Sequence, residues 1–324
     1  MARVVRFHRT GGPEVLALEE LETGAPGPNE VLVRQKAIGV DFVDCYQRSG
    51  LYPLALPSGL GGEAAGLVEM VGSAVRAFKP GDRVAYGTGS PGAYADLRIV
   101  PAERLLALPK EISFEAAAGM MLKGLTAWYL IRKTYPVKPG QTVLWHAAAG
   151  GVGLIACQWL KSLGVTVIGT VGSDEKARLA ASHGCAHTIV YTREDFPARV
   201  RELTGGSGLP VVFDSVGADT FAGSIDCLAP RGYMVSFGNA SGPVGPVDPL
   251  LLSRKGSLYF TRPTLGNYTS TRSELEEGAA ELFAVVRSGA VKIEISSTYP
   301  LEEASRAQRD LEARKTTGSI VLIP

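Results

Sequence analysis

The sequence predicts an α/β chain in two parts, a β-rich, barrel-like domain and a doubly wound parallel sheet with helices on both faces. Three observations predict it. A glycine turn, Ala148-Ala149-Gly150-Gly151-Val152-Gly153, stands between the strand Gln141-Thr142-Val143-Leu144-Trp145 and a helix through Leu154, Ile155, Gln158, Leu160 and Leu163. From Gln141 onward strands and helices alternate with short connections, the order that builds a parallel sheet covered by helices. Up to about Pro109 the chain instead reads as short strands between Gly/Pro turns, the texture of a barrel or sandwich. At 324 residues the chain exceeds one ordinary core, so two domains are the default.

In the first part, strands are expected at Val31–Lys36, Ala65–Val71 and Arg83–Tyr86. Lys79-Pro80-Gly81-Asp82 is a tight turn, because proline presets φ and glycine supplies a left-handed backbone angle. The glycine-turn helix stops at Gly164, and the strand Val165–Thr170 follows at once. Ser173 caps a helix through Lys176 and Leu179 that ends near His183-Gly184. Next come the strand His187–Tyr191, a helix around Arg199 to Leu203, the strand Val211–Val216 and a helix near Thr220–Leu228. Strands at Tyr233–Gly238 and Ser257–Thr261, a helix from Ser273 to Arg287 and a strand at Val291–Ile295 complete the alternation. The helix Leu301–Ala313 and the strand Ile320–Ile323 return to the first domain. Two domains of this kind are expected to enclose a ligand cleft.

A strand–glycine turn–helix–strand unit places backbone N–H groups and the positive end of a helix against a pyrophosphate. Glycines let the chain turn tightly and approach the phosphates with no Cβ in the way. Gly150, Gly151, Val152 and Gly153 are therefore candidate dinucleotide contacts, although Ala148 replaces the first glycine of the usual pattern. In such folds an acid about 20 residues further on holds the adenine ribose. That position falls near Val171, which carries no carboxylate. Gly172 and Ser173 instead open a helix, with Lys176 one turn in. Amides, a hydroxyl and an ammonium together suit a 2′-phosphate and point to NADPH. The same residues also read as a plain cap and a surface charge, and Asp174 is an alternative ribose acid.

Composition narrows the remaining classes. A net charge of +1, with no Lys/Arg block beyond a short pair, gives no electrostatic reason to expect nucleic acid or an anionic membrane as partner. Cys45, Cys157, Cys185 and Cys227 form no C-x-x-C pair, which predicts reduced thiols and a cytoplasmic location. The apolar run Val143–Leu160 contains His146, Gln158 and three glycines, so a strand, loop and helix explain it better than a membrane span.

The chain resembles, over essentially its whole length, the zinc-independent quinone oxidoreductases of the medium-chain dehydrogenase/reductase superfamily, the zeta-crystallin-like group. The matching stretches are Gly11–Leu16, Arg48–Pro53, Lys123–Ala127, His146–Gly153, Val235–Asn239 and Thr261–Pro263. The resemblance implies a GroES-like catalytic domain from residues 1–124 and 294–324, a Rossmann NADPH-binding domain over 125–293, and a homodimer. It implies cofactor contacts at Tyr46, Tyr129, Gly151, Val152, Ser173, Lys176, Tyr191, Val216, Phe237, Gly238, Asn239, Pro263, Leu265 and Arg314. The family often has Asn where this chain has Asp41, also a candidate cofactor contact. An ionised Asp cannot donate a hydrogen bond and brings negative charge to that place. Zinc-holding alcohol dehydrogenases of the superfamily use a Cys and a His at positions that match Asp41 and Gly62, so no metal is expected.

A quinone needs no Lewis acid, because its product charge spreads over an aromatic ring. The nicotinamide carries the chemistry and the protein supplies placement. Expected, therefore, is direct transfer from NADPH to a quinone in the interdomain cleft. Tyr46 and Tyr52 are candidate donors to the developing oxyanion, with cleft-wall packing as the alternative for each. His146 reads as a packing or orienting residue at the turn. Reduction of activated C=C bonds in enones or alkenals is the rival chemistry, and a crystallin-like structural or RNA-binding role is the rival of another class.

Overall fold

The computed structural model describes residues Met1–Pro324. It contains sixteen strands, numbered here in chain order, in two compact units. One unit comprises Met1–Leu125, Thr269–Arg287 and Ile293–Pro324; the other comprises Thr126–Tyr268 and Ser288–Lys292.

The first unit holds β1 (Ala2–Phe7), β2 (Ala17–Leu21), β3 (Glu30–Val40), β4 (Ser58–Gly59), β5 (Ala64–Val71), β6 (Arg83–Tyr86), β7 (Leu97–Pro101) and β8 (Leu106–Ala107). The last two strands of the chain, β15 (Ile295–Pro300) and β16 (Ser319–Ile323), belong to it as well. Its main sheet runs β15-β16-β3-β5-β6-β8, with β7 also on β3, and β2-β1-β4 forms a smaller sheet. Inward residues such as Val5, Phe7, Val31, Val33, Ile38 and Leu322 make one core. Gly81 takes the left-handed angle that its turn requires (φ 89°).

The second unit carries β9 (Thr142–Trp145), β10 (Thr166–Val171), β11 (His187–Val190), β12 (Leu209–Asp214), β13 (Leu228–Ser236) and β14 (Tyr259–Thr261). They form a six-stranded sheet in the order β11-β10-β9-β12-β13-β14, and every pairing is parallel. Val143, Leu144, Val167, Ile168, Val212 and Phe213 are fully buried, as expected where helices cover both faces of a parallel sheet.

Two differences from the sequence expectation have physical causes. Residues 291–294 form no strand, and the ladder begins at Ile295. The Lys292 backbone N–H donates to Gln158 Oε1 (2.9 Å), and its carbonyl accepts from Gln158 Nε2 (3.0 Å). A side-chain amide thus takes the bonds that a neighbouring strand would have made. The helix Arg272–Arg287 groups with the first unit. Its Arg272 donates to the Glu103 and Leu105 carbonyls, and Leu282 lies against the bare Cα of Gly124.

No helix is long and apolar enough to cross a membrane. All four cysteines are buried and unpaired by disulfide.

Candidate functional site

Because the six strands of the second unit are parallel, their carboxyl ends share one edge, where open α/β sheets bind ligands. The candidates fall there strand by strand. Gly150–Gly153 follow β9, Gly172, Ser173 and Lys176 follow β10, and Tyr191 follows β11. Val216 follows β12, Phe237–Asn239 follow β13, and Pro263 and Leu265 follow β14. Tyr129 ends the helix Met121–Tyr129 and stacks on Tyr268, with ring centroids 4.7 Å apart.

Gly150 is the N-cap of the helix Gly151–Ser162, whose first-turn amides have no partner within the helix. Ala147 reaches φ 52° to enter the turn. A Cβ at Gly153 would lie 2.7 Å from the Ala148 carbonyl oxygen, so the turn closes only on a glycine. A Cβ at Gly172 would meet nothing within 4 Å, which leaves room for a ligand beside the next helix. Ser173 caps that helix, Asp174–Ser182, its Oγ accepting from the Lys176 N–H (3.3 Å). These residues fit a dinucleotide: bare amides at one helix start, and a hydroxyl and a lysine at another. Asp174, the alternative ribose acid, is bound through both oxygens by the Arg193 fork, one bond being 2.6 Å.

His146 is fully buried under this edge. Ser224 Oγ donates to Asp214 (2.9 Å), so it accepts from His146 Nε2 (2.9 Å), and His146 Nδ1 accepts from the Thr170 hydroxyl (2.7 Å). That accounting selects the neutral Nε2–H tautomer. Burial also lowers the His146 pKa, against the pull of the Asp214 charge. Asp214 in turn accepts the Val216 and Gly217 amides at 2.8 and 3.1 Å. The network therefore ties the ends of β9, β10 and β12 together and holds the Val216 loop.

In the first unit, Asp41 ends β3 and is the N-cap of the helix Phe42–Ser49, which carries Tyr46. Tyr46 and Tyr52 meet edge to face at 5.4 Å, and both are half-buried. The same unit holds a charge cluster that the sequence reading missed. Lys123 Nζ stands 2.8 Å from Asp41 Oδ1 and also donates to Glu63 Oε1. The three side chains are 6%, 7% and 0% exposed. Glu63 Oε2 accepts the Leu122 N–H at 2.6 Å. Burial works against the Lys123 charge, but the Asp41 and Glu63 charges outweigh it and hold the ammonium above the ordinary lysine value. Burial, then the Asp41 charge, push Glu63 upward, with Lys123 opposing. Asp44 accepts from the Asp41 N–H (2.9 Å) and the Tyr94 hydroxyl (2.8 Å). Burial and the Asp41 charge push its carboxyl up to about 7.

Comparison with known proteins follows this division. Residues 27–110 match a family described as "Alcohol dehydrogenase GroES-like domain", and residues 151–284 match one described as "Zinc-binding dehydrogenase". A quinone oxidoreductase of Pseudomonas aeruginosa is 57% identical over 325 residues, covering 100% of both chains. The chain belongs to the quinone oxidoreductase family of the medium-chain dehydrogenase/reductases. A crystal structure of Escherichia coli quinone oxidoreductase complexed with NADPH, 52% identical, superposes with a TM-score of 0.98 over 100% of both chains. A 2-haloacrylate reductase of a Burkholderia species is 47% identical over 100% of this chain and 99% of its own.

Within this family, the residues of this chain do not fit zinc. Gly62 offers no ligand atom, and the Lys123 ammonium occupies the Asp41 and Glu63 carboxylates. No group of three or more His, Cys, Asp or Glu side chains stands together in a way that holds a metal ion. Arg314 lies in the first unit, on an exposed turn at φ 57°. Lys123 and Arg193 are the residues that sequence reasoning missed. The only signals for them were an unusual lysine in an apolar helix and a basic residue one turn after a strand.

Proposed function

We propose that this chain reduces quinones with NADPH, without a metal. The observation that carries the reading is the edge of the parallel sheet, where a glycine-only turn, a serine-capped helix start and Lys176 lie on adjacent strand ends. Full-length relatedness to quinone oxidoreductases, one of them crystallised with NADPH, supports the same reading. When bound, NADPH supplies the reducing electrons, as a hydride or in succession, directly to the acceptor.

The chain's own residues bind and orient. The amides of Gly151, Val152 and Gly153 take the pyrophosphate, while Gly172, Ser173 and Lys176 take the 2′-phosphate. Tyr129, Tyr191, Val216, Phe237, Gly238, Asn239, Pro263 and Leu265 are further cofactor contacts in this reading, as are Asp41, Tyr46 and Arg314 of the first unit. In this reading the first unit, which holds residues 1–124 and 294–324, acts as the catalytic domain and the second unit as the nucleotide domain. Tyr46 and Tyr52 donate to the oxygen that gains charge. Lys123 neutralises Asp41, which removes the objection that an unpaired carboxylate would repel an anionic product. The working form is a cytoplasmic homodimer acting on a small molecule, with neither nucleic acid nor membrane as partner.

Reduction of activated C=C bonds is the second reading, supported by the 2-haloacrylate reductase at 47% identity. Steady-state rates with naphthoquinone, an enone, an alkenal and a haloacrylate, each with NADPH, separate the two. The first reading predicts the highest kcat/KM for naphthoquinone. A clear preference for the alkenal or haloacrylate replaces it with the second.

A further inference from the structure

The end of β10 and the end of β11 are stitched together at three levels. The Tyr191 N–H donates to the Val171 carbonyl (3.1 Å), and the Thr192 hydroxyl donates to the Gly172 carbonyl (3.3 Å). At the third level, the Arg193 guanidinium grips both oxygens of Asp174. The backbone of Arg193 is itself fixed, its N–H donating to the Val190 carbonyl (3.0 Å). These bonds surround the place where Gly172 leaves open space and Ser173 begins its helix.

Asp174 is the awkward residue of this loop. An acid beside the second strand end is the usual acceptor for adenine ribose hydroxyls and would repel a phosphate on the same sugar. Two features of the structure withdraw it from both roles. The fork binds both carboxylate oxygens, which is the geometry in which arginine holds a carboxylate most firmly. The guanidinium also cancels its charge, and Arg193 draws the Asp174 carboxyl below its ordinary value.

We propose that Arg193 is a specificity-determining residue that acts through Asp174: by holding this carboxylate it turns a loop that would accept a free ribose hydroxyl into one that accepts a 2′-phosphate. The inference deepens the NADPH reading and rests on it. Arg193 is thus a positioning residue, and the charge that meets the phosphate remains that of Lys176.

Both side chains are more than half exposed, at 58% and 57%, so their removal does not threaten the fold. The test is the binding of NADP+ and NAD+ to the full chain by fluorescence titration at low salt, with adenosine 2′,5′-bisphosphate and adenosine 5′-monophosphate as fragments. Neither pair of ligands requires turnover. Arg193→Ala frees the Asp174 charge and is expected to raise the Kd for NADP+ and for the bisphosphate roughly tenfold, the scale of one unit charge brought near a phosphate at a protein surface. Binding of NAD+ is expected to be unchanged or tighter. The deciding variant is Arg193→Ala/Asp174→Ala, expected to recover NADP+ binding to within about threefold of wild type, because little coupling is left once the carboxylate is gone.

A double variant as weak as Arg193→Ala overturns the inference, since Arg193 would then act on the phosphate directly. An unchanged NADP+/NAD+ ratio in Arg193→Ala overturns it equally. Wild-type protein that binds NADP+ and NAD+ alike instead overturns the NADPH reading itself, and is visible before any variant is made.

Discussion

Replacing Lys123 by Met keeps most of the side-chain volume and removes the one ammonium shared by Asp41 and Glu63. Both carboxyls then stay buried without a counter-ion, and breaking a buried pair in this way costs about 3–5 kcal/mol. Proton uptake limits the loss. Neutralising one carboxyl of ordinary pKa at about pH 7 costs roughly 4 kcal/mol, at 1.36 kcal/mol per pH unit. The two estimates agree, so the variant is expected to bind a proton on folding more tightly than the wild type, where Lys123 opposes the rise at Glu63. A carboxyl raised in the folded state gives stability at low pH that is lost as pH rises through its folded pKa. The deficit of Lys123→Met is therefore largest near neutrality and shrinks by at most about 1.4 kcal/mol for each unit of acidification, since Glu63 of the wild type is raised as well. Thermal melts of the full chain at about pH 7 and about pH 5 measure it, and a fall of about 6 °C is expected at the higher pH. Lys123→Met/Glu63→Gln should recover part of it. A variant that melts within about 2 °C of wild type at neutrality, or a deficit that grows on acidification, refutes the reasoning.

Asp44→Asn removes a carboxyl held up to about 7 by burial and by Asp41. Relative to this variant, the wild type should lose stability as pH rises from about 4 to about 7, by an amount on the order of 4 kcal/mol, read from melts across that range. Lys176→Ala should raise the KM for NADPH about tenfold or more and leave that for NADH nearly unchanged, as steady-state kinetics with both cofactors would show. Tyr46→Phe and Tyr52→Phe should each lower kcat with naphthoquinone several-fold. Unaltered turnover in both would withdraw the donor role and leave the nicotinamide site in place.

Much of the second unit was legible because its signals are local. The Gly150–Gly153 turn, its flanking strand and helix, and the cap at Ser173 each lie within a few residues of one another, and the structure places them on one sheet edge. The charge cluster was not legible for the opposite reason. Lys123 and Glu63 are 60 residues apart, and Tyr94 and Gln308, which continue the network, are 214 apart. Nothing in periodicity or spacing reports such a pairing. Asp41, read as a departure from the family's usual Asn, acquires its meaning only from Lys123. The strand expected at Val291–Ile295 failed on similar grounds. Its alternation of apolar residues is real, but a distant glutamine side chain, Gln158, claims the backbone groups that a ladder would need. Arg193 stands 19 residues beyond Asp174, and only the parallel pairing of β10 with β11 brings the two together.

The most direct test of the central claim is a single-turnover experiment in which the NADPH-loaded protein is mixed rapidly with naphthoquinone. A loss of reduced-nicotinamide absorbance, stoichiometric with bound NADPH, is expected without added metal and undiminished by a strong chelator. No loss of that absorbance, or a loss that the chelator abolishes, would contradict it.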